Sequence, residues 1–144
     1  MSAILSLDPG GTTGVALFEV TEEDAELIWV KQIEGGLQGF LNFHWEVLED
    51  MKIDRIIAES FTLREGIYGA DLSPVYIIGA LEALYPTTEI VYQEPKLKPL
   101  VDNERLKKMG LYLPSKPHGM DAVRHGIIYL RNNKHKPTLE AGWR

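Results

Sequence analysis

The chain has 144 residues, enough for a single domain with one sizeable core, and its apolar, aromatic and charged fractions (44%, 9% and 25%) are those of a globular protein in water. It has no cysteine, which excludes disulfides, thiolate metal sites and cysteine nucleophiles. The formal charge of −6 argues against a polyanionic partner until its distribution is read: residues 1–95 hold four basic and 17 acidic side chains and residues 96–144 hold 11 basic and four acidic ones, a split that permits a basic face on an acidic protein and fits a merely solvated, charge-rich surface equally well.

The opening MSAILSLDPGG lacks a basic n-region and a long apolar run, so no signal peptide is expected. The longest apolar stretches are far short of a membrane span, and a cytoplasmic protein without membrane contact is the expectation. Residues 3–8 (AILSLD) read as a strand and DPGGT as a tight turn. Residues 14–20 and 25–32 read as two more strands joined by short turns, which implies an antiparallel meander. After Gly35 and Gly36 the apolar period lengthens to that of a helix over 37–51. A short buried strand follows at 53–59, and the strand–helix–strand order implies parallel pairing through a right-handed crossover. Residues 60–71 read as a loop. A helix is expected over 73–85, begun by Ser73–Pro74 and stopped by Pro86. It is apolar nearly all round, so its second face is either buried or available to a second copy of the chain. A fifth strand is expected at 88–92, an irregular proline-rich stretch over 94–117 with a short helix at 102–109, and a last helix over 118–132. Residues 1–132 thus read as one domain of α/β class, and 133–144 as a loose basic tail.

Three carboxylates stand at revealing places. Asp8 closes the first strand, although an aspartate before Pro-Gly is also an ordinary turn residue. Glu59 ends the fourth strand after an apolar run, where charge is costly unless it has a task. Parallel neighbours lie about 4.8 Å apart, so both carboxylates reach one cation if strands one and four pair. Asp121 lies early in the last helix, with His118 one turn before it on the same face. Hard oxygen donors of this kind suit Mg²⁺, and two divalent ions about 4 Å apart can activate water and stabilise the leaving oxygen of a phosphodiester.

At these residues the chain resembles the RuvC-like Holliday junction resolvases of the RNase H-like superfamily. LSLDPGGTTGVALF is similar to that family's first-strand motif, IIAESF to its catalytic glutamate region and HGMDAVRHGIIYL to its final helix. The resemblance covers about residues 3–132. It implies an RNase H-like fold, with a mixed five-stranded sheet whose first three strands are antiparallel and whose fourth and fifth run parallel to the first. It also implies a catalytic, metal-binding set of Asp8, Glu59, His118 and Asp121, two Mg²⁺ ions per site, and a homodimer that cuts four-way DNA junctions to leave 5′-phosphates and 3′-hydroxyls. His118 stands where many members have an aspartate and some a histidine. A neutral, softer imidazole there removes one negative charge and should favour Mn²⁺ relative to Mg²⁺.

For DNA contacts, Lys96 and Lys98 overlap the family's basic stretch, and Arg105, Lys107, Lys108, Lys116 and Arg124 extend it. Such contacts give affinity and salt dependence without sequence information. Solubility alone explains any single lysine equally simply. Phe61, Arg64 and Tyr68 follow Glu59 in a loop where an aromatic ring can stack on an unpaired base, or Phe61 can pack under the loop. His44 and Trp29 read as packing residues, and no role is assigned to His125 or Trp143. The expected function is a structure-selective endonuclease acting on branched DNA, of a size that suits a phage or a compact bacterial recombination system. Two alternatives stay open: an actin-like protein holding phosphate at DPGGTTG, against which the length counts, and a junction-binding module without catalysis.

Overall fold

The computed structural model describes residues 1–62 and 71–143. Five strands are formed: β1 Ser2–Asp8, β2 Thr12–Val20, β3 Ala25–Glu34, β4 Arg55–Glu59 and β5 Glu89–Gln93. Their spatial order is β3-β2-β1-β4-β5. The first three pair antiparallel, and β4 and β5 run parallel to β1. The expected mixed sheet is therefore present. It follows from the meander and the crossover, because short turns force antiparallel neighbours and an intervening helix returns the chain parallel.

Alternation along the central strands buries both faces. Leu5, Leu7, Val15 and Leu17 face a layer made by α1 (Gly36–Phe43) and α2 (Ser73–Leu84). Ile4, Ala16, Phe18 and Ile57 face a layer built on α4 (Pro117–Asn132), with Leu106 of α3 (Asn103–Lys108) packed in. The helix expected over 37–51 is α only to Phe43 and continues as a π-helical turn over His44–Leu48. His44 is buried there, 3.2 Å from the Tyr85 hydroxyl, and Trp29 packs edge-on against Phe43. On α2, Ile77 and Leu81 are buried while Tyr76 is 55% exposed and Val75 43%, so its second face is left open by the described residues.

Two segments depart from the sequence reading. The stretch after β5 is ordered as a 3₁₀ turn over Pro95–Leu100, because Pro95 starts it and each proline within it removes only one amide donor. The residues expected to form a loose tail pack instead. A short α5 (Lys136–Leu139) carries Thr138 into the core, and Trp143 stacks edge-on against Phe18 at 5.5 Å while its indole donates to Thr138 Oγ1 at 2.9 Å. A buried aromatic surface of this size outweighs the entropy of fixing a short segment, which charge counting does not reveal. Among the described residues, no helix is long and apolar enough to cross a membrane.

A candidate metal and nucleic-acid site at the end of the sheet

Parallel pairing of β1 with β4 ends on Leu7 opposite Ala58, so the next residue on each strand, Asp8 and Glu59, leaves the sheet side by side. Both are buried. After Asp8 the chain turns sharply, and Thr13 closes the turn by bonding Gly10 through its hydroxyl. The third carboxylate arrives on α4, whose N-terminus is brought against β2. At Gly14 a Cβ would lie 1.9 Å from the His118 carbonyl oxygen, so only glycine allows this backbone approach. The amide of Gln32 on β3 accepts from the His118 and Gly119 backbone N–H groups at 2.8 and 3.2 Å, satisfying donors that a helix start leaves unpaired. Buried Ser6 donates to the Ala122 carbonyl at 2.6 Å. These contacts fix the turn that carries His118 and Asp121 over the strand ends.

Lys98, delivered by the 3₁₀ turn, stands among the carboxylates. Its Nζ is 3.0 Å from Glu59 Oε1 and 3.3 Å from Asp121 Oδ2. His118 Nδ1 is 3.9 Å from Asp8 Oδ2. Asp8, Gly10, Gly11, Lys98, His118 and Asp121 line a cleft of about 460 Å³. A second hollow of about 410 Å³, on Lys96, Lys98, Asn103, Asp121 and Arg124, adjoins it through Lys98 and Asp121.

The electrostatics are those of crowded negative charge. Burial, the contact with Glu59 and the Glu59 charge push the Asp8 carboxyl up to about 9, against an opposing pull from Lys98. Burial also resists ionisation of Glu59, but polar contacts from His125, Asp8 and Lys98 outweigh it and hold this carboxyl down at about 2. The two acids therefore keep one proton between them over a wide pH range. Burial opposes the Lys98 charge, and the surrounding carboxylates more than reverse that, so its ammonium is held protonated.

The expected DNA contacts separate into groups. Arg124 is turned inward: it pairs with Asp121 at 2.9 Å, donates to the Val101 carbonyl at 2.8 Å and meets Asn103. Arg105 donates to the Thr138 carbonyl at 3.0 Å, which ties α3 to α5. Lys116 donates to the Val30 carbonyl at 3.1 Å. Lys107 pairs with Glu104 and lies over the Tyr112 ring, Lys96 pairs with Glu94, and Lys108 is exposed. Phe61 is half-buried, whereas Arg64 and Tyr68 lie outside the described residues. Sequence reasoning did not single out Gln32, Gln93 or His125. A polar residue at the end of each strand was visible, but its partner depends on a helix phase more than 30 residues away.

No protein-family model matches the chain, and no curated protein sequence matches it. Solved structures do. Thermus thermophilus RuvC in complex with a Holliday junction substrate superposes with a TM-score of 0.68 at 14% identity, over 92% of this chain and 96% of that one. T. thermophilus RuvC by itself gives 0.63 at 15% identity, over 92% and 97%. The fowlpox virus Holliday junction resolvase gives 0.63 at 12% identity, over 91% and 99%. Strand order, parallel and antiparallel pairing and near-complete mutual coverage together show that the chain has the RuvC-type, RNase H-like fold of these junction resolvases.

Proposed function

We propose that the protein is a metal-dependent endonuclease that cleaves Holliday junctions, and other branched DNA, leaving 5′-phosphate and 3′-hydroxyl ends. The observation that carries this reading is the convergence of Asp8, Glu59 and Asp121, from three separate elements, at one end of a sheet shared with junction resolvases.

The donor set fits hard divalent cations. It offers three carboxylates and one imidazole, and burial first, with the Glu59 contact and charge behind it, holds the Asp8 carboxyl protonated where a cation would favour its charged form. Among the described residues no three such groups stand at ion-binding distance of one another, and the Lys98 ammonium sits between Glu59 and Asp121. Holding an ion there requires the Lys98 ammonium to swing out toward the adjoining hollow, a motion of one flexible side chain. Asp8, Glu59, Asp121 and His118 would hold Mg²⁺ or Mn²⁺, two ions per site, and the ions would supply an activated water and charge stabilisation at the scissile phosphate. Once displaced, Lys98 is placed to meet a backbone phosphate beside Asp121, with Lys96 further along the same hollow. Arg124 keeps the Asp121 carboxylate oriented. The uncovered Val75–Tyr76 face of α2 is our candidate for the contact between two copies, which would give two sites for two opposed strands.

A labelled four-way junction and a matched linear duplex, incubated with Mg²⁺, Mn²⁺ or EDTA, test the reading. Paired nicks in the junction, dependent on metal and lost in Asp8→Asn, are expected. A wild-type protein that binds the junction and leaves it intact in both metals overturns it.

A further inference from the structure

Behind Glu59, on the side away from the cleft, three polar side chains are enclosed in the core. Glu59 and Gln93 are register partners on β4 and β5. His125 lies on α4 one turn after Asp121, is 0% exposed, and places Nδ1 2.8 Å from the Gln93 amide oxygen and Nε2 3.4 Å from Glu59 Oε1. Among the described residues neither buried atom, His125 Nε2 nor Glu59 Oε1, has a hydrogen bond of good geometry, and Glu59 Oε1 is met from the cleft side by the Lys98 ammonium at 3.0 Å. A leucine would fill this volume without the cost of burying an imidazole, so packing does not explain the residue.

We infer that His125, with its tautomer set by Gln93, is a positioning residue that holds the Glu59 carboxylate in place from the core side. The assignment rests on donor and acceptor counting. If Gln93 accepts through its oxygen from Nδ1–H, a neutral imidazole turns a lone pair toward a carboxylate oxygen, and two acceptors face each other. A half-turn of the Gln93 amide exchanges its oxygen and nitrogen in place. Its N–H then donates to Nδ1, the imidazole proton must reside on Nε2, and that proton points at Glu59 Oε1. One bond now answers the unsatisfied His125 Nε2 and gives Glu59 Oε1 a donor from the core side, beside its ion pair with Lys98. The arrangement ties the orientation of the Glu59 carboxylate to the helix that also carries Asp121. It rests on the nuclease reading in so far as Glu59 is a metal ligand.

The test is binding of Mn²⁺ alone to metal-free protein by calorimetry, beside thermal melting in EDTA, for wild type, His125→Leu and His125→Gln. The leucine fills the space and cannot donate, whereas the glutamine amide can. We expect Mn²⁺ affinity to fall about 10- to 100-fold in His125→Leu, as for other groups that orient a metal ligand, and to be largely restored in His125→Gln. Equal affinity in wild type and His125→Leu, or equal losses in the two variants, overturns the inference. Nitrogen-15 shifts of the wild-type imidazole give a reading that needs no variant: a proton on Nε2 supports the assignment, and one on Nδ1 overturns it. A wild type that does not bind Mn²⁺ overturns the nuclease reading together with this inference.

Discussion

Replacing Asp8 with asparagine should stabilise the protein while removing its activity. In the metal-free fold the Asp8 carboxyl is raised from 3.8 to about 9 by burial and by Glu59. A group whose folded value lies above its unfolded value contributes stability fully below pH 3.8, and that contribution is lost as pH rises through the folded value. At pH 7 the unfolded chain has released this proton and the fold has not, over a span of about three pH units. At 1.36 kcal/mol per unit the ceiling is about 4 kcal/mol. Glu59 and Lys98 readjust around the same charge, so about 1–3 kcal/mol is a fairer expectation. In Asp8→Asn the amide supplies the donor toward Glu59 that the Asp8 proton supplies in the wild type, without a charge to suppress. For a chain of this size the gain corresponds to a rise in Tm of roughly 3–10 °C. Melting in EDTA from pH 4 to 9 should show the two proteins nearly equal at the acid end and diverging as pH rises. Saturating Mn²⁺ should then stabilise the wild type and leave the variant where it was. A variant that melts below the wild type at pH 8, or a gap that does not change with pH, would refute the electrostatic reasoning.

Three further outcomes follow from the geometry. Gly14→Ala drives a Cβ into the His118 carbonyl, where both neighbours are backbone and neither can yield, so denaturation should show a loss of about 2–3 kcal/mol or more together with loss of cleavage. His118→Asp should shift the ratio of Mn²⁺- to Mg²⁺-supported cleavage toward Mg²⁺, because it exchanges a softer nitrogen donor for an oxygen; an unchanged ratio removes imidazole from the metal set. Trp143→Ala should cost about 3 kcal/mol in chemical denaturation, since it vacates the core beside Phe18, and a loose tail would show almost no change.

The position of Asp8 and Glu59 was legible from local pattern, a short apolar run ending in a carboxylate, repeated across a crossover, while the mixed five-stranded sheet was implied by the resemblance and agreed with the order of elements. Asp121 was singled out by its helical spacing from His118 taken together with the resemblance of HGMDAVRHGIIYL to the family's final helix. What escaped was the company these residues keep. Gln32 reaches His118 across 86 residues of sequence, and His125 reaches Gln93 across 32. Such pairs depend on strand register combined with helix rotation, and no window of the sequence contains both. Lys96 and Lys98 were read from the resemblance and the other basic residues of the C-terminal part from charge, which does not tell a lysine facing a groove from an arginine such as Arg124 that bonds its own chain. The C-terminal segment was misread for the same reason, as its few aromatic and small residues matter only once Phe18 stands beside them.

The contact at Gly14 has a wider consequence. Between most helices and sheets a layer of side chains absorbs small changes by rotating. Here main chain meets main chain, and no such cushion separates the sheet from the turn that carries His118 and Asp121. Shifts in β2 or β3 of even a few tenths of an ångström must pass undamped to those two residues. Substitutions on the outer strands, remote from the cleft, are therefore where altered ion spacing should arise without any change in the ligands themselves.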